Sequence, residues 1–324
     1  MALPTSGPRR DSPPGITVPP RLASRLQPVA PCISDPNHID DASTTGKEAN
    51  ILLIPDNRRE IWRILSHRAA SCAERPGRGA DGNREMAPDE GVFVVPTFAD
   101  RAVTIAGRDV PGYLAQPDDA QAHPAIIVVH EWWGLTDYTR GIAQQLAQEG
   151  FTALAPDLYR GHLALTVERA MVLSRGLDPA AGAADLLAAI AYLRLLPSVG
   201  DRPIGMIGFC MGGSFTLEVA MRSNDLTAIA PFYPGRVGQA IEHLQAISPP
   251  LFVAFGAEDP SIPPDVVQRF GAAVRRHGKT AEIRVYQGAK HAFHNHGGAN
   301  YHPEAAADAW AGALAFFRER LGTV

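Results

Sequence analysis

A chain of 324 residues is long enough for one large α/β domain or two smaller ones, and its apolar share of 45% is that of an ordinary globular protein. A net charge of −4 with a pI near 6.3 leaves no electrostatic footprint for nucleic acid. No apolar run reaches the roughly 18 residues of a membrane span, and the N-terminus lacks the charged-then-apolar order of a secretory signal.

Three cysteines, Cys32, Cys72 and Cys210, are an odd number without metal-site spacing, which argues against a disulfide framework. A reducing, cytoplasmic setting is expected. Residues 1–85 differ from the rest. They hold 11 of the 28 prolines and one aromatic residue, Trp62, and their 12 Lys/Arg nearly cancel 10 Asp/Glu. Such a stretch buries too little apolar surface to offset its ordering entropy, so an N-terminal extension without fixed structure is expected. One exception is Arg58–Ala70, where Ile61, Trp62, Ile64 and Leu65 could line a short helix. Met86 stands where the regular pattern begins and is the expected start of the functional chain, giving one domain over 86–324.

From there the spacing predicts strands at Val92–Val95, Ala102–Ile105 and Val110–Ala115, then a fully apolar strand at Ala125–Val129. A helix over Thr139–Glu149 is closed by Gly150, and Phe151–Ala155 is the next buried strand. Helices follow at Leu165–Arg175 and Ala180–Leu196, then a strand at Ile204–Ile207 and a helix at Gly213–Arg222. Strands at Thr227–Phe232, Leu251–Phe255 and Ala281–Tyr286 alternate with a helix near Pro264–His277, and Pro303–Leu321 is a last helix. This alternation predicts an α/β fold: a doubly wound, mostly parallel sheet in a three-layer α/β/α arrangement.

Between the strand ending at Ile207 and its helix stands Gly208-Phe209-Cys210-Met211-Gly212-Gly213. G-x-C-x-G is the nucleophile-elbow pattern with sulfur in place of serine oxygen, a sharp strand-to-helix turn that tolerates only small flanking residues. It would set Cys210 at a helix N-terminus, where the dipole favours a thiolate and then an oxyanion. The same pentapeptide also fits a small buried cysteine at a tight turn. Ligands of a doubly wound sheet bind beyond the carboxyl ends of its strands, so the residues just after each strand decide between the two. These are His130, Glu131, Trp132 and Trp133 after the first buried strand, Cys210 after the elbow strand, Glu258 and Asp259 after Leu251–Phe255, and Lys290 and His291 after Ala281–Tyr286. The order nucleophile, acid, histidine, at spacings of 49 and 32 residues, is that of α/β-hydrolases. His291 can take the thiol proton and return it to a leaving group, and Asp259 can fix the imidazole tautomer. Backbone N–H groups of Met211 and Trp132 are the expected oxyanion donors. Glu131, directly after a buried strand, is expected to face Cys210 and keep the thiol protonated until substrate arrives.

Met86–Leu321 resembles the dienelactone hydrolase family of α/β-hydrolases. The resemblance rests on His130-Glu131-Trp132-Trp133-Gly134-Leu135, Ala155-Pro156-Asp157-Leu158-Tyr159, the Gly208–Gly213 elbow, Gly256-Ala257-Glu258-Asp259 with Ile262-Pro263, and His291-Ala292-Phe293. It implies an α/β-hydrolase fold, a Cys210–Asp259–His291 triad with Glu131 as the thiol's partner, no cofactor, and a small-molecule ester or lactone substrate. In the namesake enzyme an arginine shortly after the catalytic histidine grips the substrate carboxylate; here Ala292-Phe293-His294-Asn295 follows His291. That departure leaves another ester, a thioester or a lactone as equally good candidates, with a non-catalytic binding protein of the same fold as the competing class. Trp133, Tyr159, Arg160 and Phe293 are further candidates for the substrate pocket. His291, His294, His296 and His302 could chelate a metal by spacing, but no acidic cluster joins them, so no metal is expected. Oligomeric state is not legible in one chain.

Overall fold

The computed structural model describes residues 50–54 and 97–322. The expected strand at Val92–Val95, the candidate helix at Arg58–Ala70, Cys32 and Cys72 lie outside the described residues. Among the described residues the strands form one sheet in the order β1-β9-β8-β7-β6-β4-β5-β3-β2. The strands are β1 (Asn50–Ile54), β2 (Phe98–Ile105), β3 (Val110–Pro117), β4 (Ala125–Val129), β5 (Thr152–Pro156), β6 (Ile204–Phe209), β7 (Ala228–Phe232), β8 (Leu251–Gly256) and β9 (Ala281–Tyr286). All neighbours are parallel except β3, which runs antiparallel to both β2 and β5. β1 differs from the expectation of no regular structure over 1–85: Ile51-Leu52-Leu53-Ile54 is a continuous apolar run, and it pairs in register with Ile283–Tyr286.

The helices are α1 (Asp137–Gln148), α2 (Val167–Gly176), α3 (Pro179–Leu195), α4 (Met211–Ala220), the short α5 (Val237–Ala240) continued by a 3-10 turn (Ile241–Ala246), α6 (Pro264–Arg276) and α7 (Pro303–Leu321). Strand alternation sends helices to both faces, and β6 shows this directly. A Cβ on Gly205 would lie 2.9 Å from the Phe317 ring of α7, whereas one on Gly208 would meet α4. Every residue of β4, β5, β6, β7 and β8 is buried, as covered parallel strands require. Helix ends follow local chemistry: Asp178 caps α3 by accepting from Ala180 N–H, with Pro179 in the first turn. The α5–3-10 segment was not expected from periodicity, being too short to show one.

Candidate active site

The elbow forms because three glycines leave no side chain where backbone must pass. A Cβ on Gly208 would sit 2.2 Å from the Gly212 carbonyl oxygen, and one on Gly212 would sit 2.2 Å from that of Val129. Cys210 adopts φ 55° and ψ −111°, a conformation that costs a non-glycine residue about 1–3 kcal/mol and persists where the surroundings over-determine it. Here its N–H is tied to the Phe232 carbonyl at 3.0 Å, and α4 starts on the very next residue, two earlier than periodicity suggested. Cys210 is half-buried.

His291 Nε2 lies 3.0 Å from Cys210 Sγ, and its Nδ1 lies 2.6 Å from Asp259 Oδ2. Asp259 is buried; its other oxygen accepts from the Ser261 N–H at 2.8 Å. The three side chains thus meet across β6, β8 and β9, with Asn300 holding the His291 carbonyl at 2.9 Å. Burial alone would lower the basicity of His291, but the hydrogen bonds and charges of Asp259 and Cys210 outweigh it and push its pKa up to about 10.

Of the expected oxyanion donors, Met211 is the first residue of α4, so its N–H has no acceptor within the helix. Trp132 lies inside a turn closed by Gly134 N–H on the Glu131 carbonyl at 3.2 Å, which leaves its own N–H without a backbone acceptor among the described residues. Trp132 and Trp133 are half-buried and stand edge to face at 5.2 Å. Tyr159 lies over the start of α4 and donates its hydroxyl hydrogen to Met211 Sδ at 3.3 Å.

His130, next to Glu131, is fully buried and is held neutral by that burial. Its Nε2 accepts the Leu158 N–H at 3.1 Å, so Nδ1 carries the hydrogen and donates to the Glu131 carbonyl at 2.6 Å. The imidazole therefore pins the β4 loop to the β5 loop. Asp157 does the same within the β5 loop, accepting from Tyr159 N–H and Gly161 N–H.

Three expectations are corrected. Glu131 is buried at the site, but its oxygens face Asn295 Nδ2 at 2.7 Å and Tyr233 OH at 3.5 Å, while the thiol's hydrogen bond goes to His291. Arg160 turns its guanidinium to Asp185 Oδ2 at 2.7 Å, a buried carboxylate of α3 that Arg108 also binds. Phe293 is completely buried between the Tyr233 and Tyr286 rings and belongs to the core. Burial raises the Glu131 pKa to about 7, against the lowering pull of Asn295, the His291 charge and Tyr233. Asn295 and Tyr233 were not singled out from sequence. Tyr233 is the first residue after β7, so the strand-end rule applied to that strand finds it. Asn295 carries no signal beyond standing four residues after His291. The four loop histidines do not converge, and among the described residues no group of three or more His, Cys, Asp or Glu is placed to hold a metal. No single helix among those residues is long and apolar enough to cross a membrane.

Residues 110–321 match the model of the dienelactone hydrolase family. The chain belongs to that family. Kinship makes it a hydrolase of the α/β-hydrolase superfamily. It is 32% identical over 237 residues to a Synechocystis protein provisionally named a carboxymethylenebutenolidase, a match covering 68% of this chain and 96% of that one. A Bradyrhizobium protein named as a probable 2-oxo-3-(5-oxofuran-2-ylidene)propanoate lactonase is 30% identical over 227 residues, covering 66% and 91%. Among solved structures, a provisionally named dienelactone hydrolase from Klebsiella pneumoniae superposes with a TM-score of 0.65 at 31% identity, over 69% of this chain and 99% of that one.

Proposed function

We propose that this dienelactone hydrolase family member cleaves a small-molecule carboxylic ester or lactone through Cys210, by way of a thioester acyl-enzyme. The observation that carries the reading is the single imidazole of His291 hydrogen-bonded to Cys210 Sγ on one nitrogen and to buried Asp259 on the other. Nε2 holds the thiol's proton while Sγ adds to the substrate carbonyl carbon, in keeping with an imidazole pKa pushed up to about 10 in the resting site. Asp259 accepts from Nδ1 and stabilises the imidazolium without itself taking a proton. The oxyanion is received by the Met211 and Trp132 N–H groups, each worth about 10²–10³ in rate when so aimed. As the tetrahedral species collapses, the leaving oxygen takes the proton from Nε2. Water then repeats the cycle on the thioester with His291 as base, freeing the acid and the thiol.

Replacing Cys210 by Ala should lower turnover of an aryl ester by at least about 10⁴-fold, as loss of a nucleophile does elsewhere. Quenching the wild-type enzyme during turnover should give an acyl adduct on the peptide carrying Cys210. Retained activity in Cys210→Ala, or an adduct on another residue, removes the mechanism.

A further inference from the structure

Beyond the triad, four side chains form a row that leads from Glu131 away from Cys210. Glu131 Oε1 lies 3.5 Å from the Tyr233 hydroxyl. The Tyr233 hydroxyl also interacts with that of Tyr138 on α1. Tyr138 OH is in turn 2.7 Å from His294 Nδ1. Glu131, Tyr233 and His294 are buried, and none of the four has a part in the chemistry described above. The row ends at a cavity of about 190 Å³ between α1 and α7, lined by Tyr138, Gln145, His294, His296, Tyr301 and Trp310. His296 and Tyr301 are exposed, so the cavity meets solvent at that end.

Hydrolysis of an ester at neutral pH releases a carboxylate, an alcohol and one proton per turnover, and that proton must leave a site where burial makes charge expensive. We propose that the row Glu131–Tyr233–Tyr138–His294 carries this proton from the catalytic site to the α1–α7 cavity, along a path that does not pass Cys210. The inference rests on the proposed function of the same site.

The steps balance atom by atom. Glu131 Oε1 takes the proton left by the product acid, turns its new O–H toward the Tyr233 oxygen and passes that hydrogen to it. The Tyr233 hydrogen moves to the Tyr138 oxygen, the Tyr138 hydrogen to His294 Nδ1, and the His294 Nε2 hydrogen to solvent in the cavity. Each oxygen gains one hydrogen and loses one, so no tyrosinate forms, which burial of both phenols would oppose strongly. Rotation of the hydroxyls and exchange of the imidazole tautomer restore the start. His294 suits the end of such a row. Burial and the neighbouring His296 lower its pKa to about 4, so it passes a proton on rather than keeping it. Glu131 suits the beginning, because burial brings its pKa to about 7, and the groups facing it (Asn295, Tyr233, Tyr138 and His291) include one amide, two phenols and one imidazole. Tyr138 hands the hydrogen on from Tyr233 to His294 and touches no member of the hydrolytic trio.

The test uses the full chain with an aryl ester. Cys210→Ala comes first, since activity surviving that change overturns the proposed function and this inference with it. If Cys210→Ala is dead, Tyr138→Phe tests the row alone: it keeps the ring and removes the middle hydroxyl. The expected result is a kcat about 10²-fold lower at neutral pH in dilute buffer, the low end of what a positioned proton-transfer group contributes, with KM within about twofold. Raising the concentration of a small buffer such as imidazole should restore that kcat while leaving wild type unaffected. Tyr233→Phe, one link earlier, should behave alike and stands in if Tyr138→Phe fails to fold. An unchanged kcat in a folded variant, or a loss that buffer does not restore, overturns the path.

Discussion

Two buried carboxylates sit on the same edge of the sheet and are treated in opposite ways. Asp185, 1% exposed on α3, faces two guanidinium groups, Arg108 from the β2–β3 turn and Arg160 from the β5 loop. Glu131, 3% exposed after β4, faces an amide and a phenol. A buried charge is tolerable when a full countercharge touches it, and otherwise the group moves toward neutrality. Asp185 therefore behaves as a rivet joining three elements, whereas Glu131 is left poised to titrate near pH 7, within reach of the His291 charge. The difference explains why one arginine of this edge is unavailable to a substrate: Arg160 is spent on Asp185.

The largest effect should come from stripping Asp185 of its partners. Both arginines reach solvent, with 38% and 39% of their side chains exposed, while the Asp185 side chain is 2% exposed. Removing the carboxylate lets the cations hydrate, but removing both cations strands a dry anion. Arg108→Gln with Arg160→Gln should thus cost about 3–5 kcal/mol in urea unfolding, the range for an orphaned buried charge, and Asp185→Asn clearly less. Equal losses would mean that the cluster is no drier on one side than the other.

Glu131 should show the reverse sign. Its pKa rises from 4.5 in the unfolded chain to about 7 in the fold, so the native state binds the proton more tightly. Stability then falls as pH rises from about 4.5 to 7 and stays lowered above, by about 3 kcal/mol at full effect. Glu131→Gln removes the titration. Its Tm should exceed that of wild type at pH 8 and match it near pH 5, while ester turnover suffers. A variant less stable than wild type at pH 8 would show that the carboxylate is held charged by something stronger than Asn295 and Tyr233.

What sequence made legible follows the same division. The hydrogen-bonded trio of Cys210, His291 and Asp259 could be read because each member is a chemistry-bearing residue in the segment after a strand whose apolar run is unmistakable, and the elbow glycines declare a backbone crossing that no other residue allows. Electrostatic partnership was not readable. Arg160, a pocket candidate by its place after β5, is claimed by a carboxylate that lies on a helix 25 residues further on, at a buried position. Phe293, two residues beyond His291, is a pocket candidate in the sequence and a core residue in the fold. The loop turns back at Ala292, whose φ of 61° sends the next side chain into the core. The strand at Asn50–Ile54 was hidden by composition: five residues of regular pairing vanish in a stretch dominated by proline and charge.

Asn295 offers the finest test of the comparison. It donates to Glu131 Oε2 at 2.7 Å and pulls the carboxyl pKa down, against the larger upward push of burial. Asn295→Ala removes that donor without adding or removing a formal charge, and the residue is only half-buried, so solvent can occupy the space. One hydrogen bond to a charged group is worth about 1.5–3 kcal/mol at most, and water replacing the amide returns much of it, so the Glu131 midpoint should rise by no more than about one unit. In a series of melting curves across pH, the fall in stability assigned to Glu131 should move to higher pH in Asn295→Ala and vanish altogether when Glu131→Gln is added. A midpoint that stays put would assign the tuning of Glu131 to burial alone, and one that moves downward would mean that the His291 charge approaches Glu131 once the loop between them is freed.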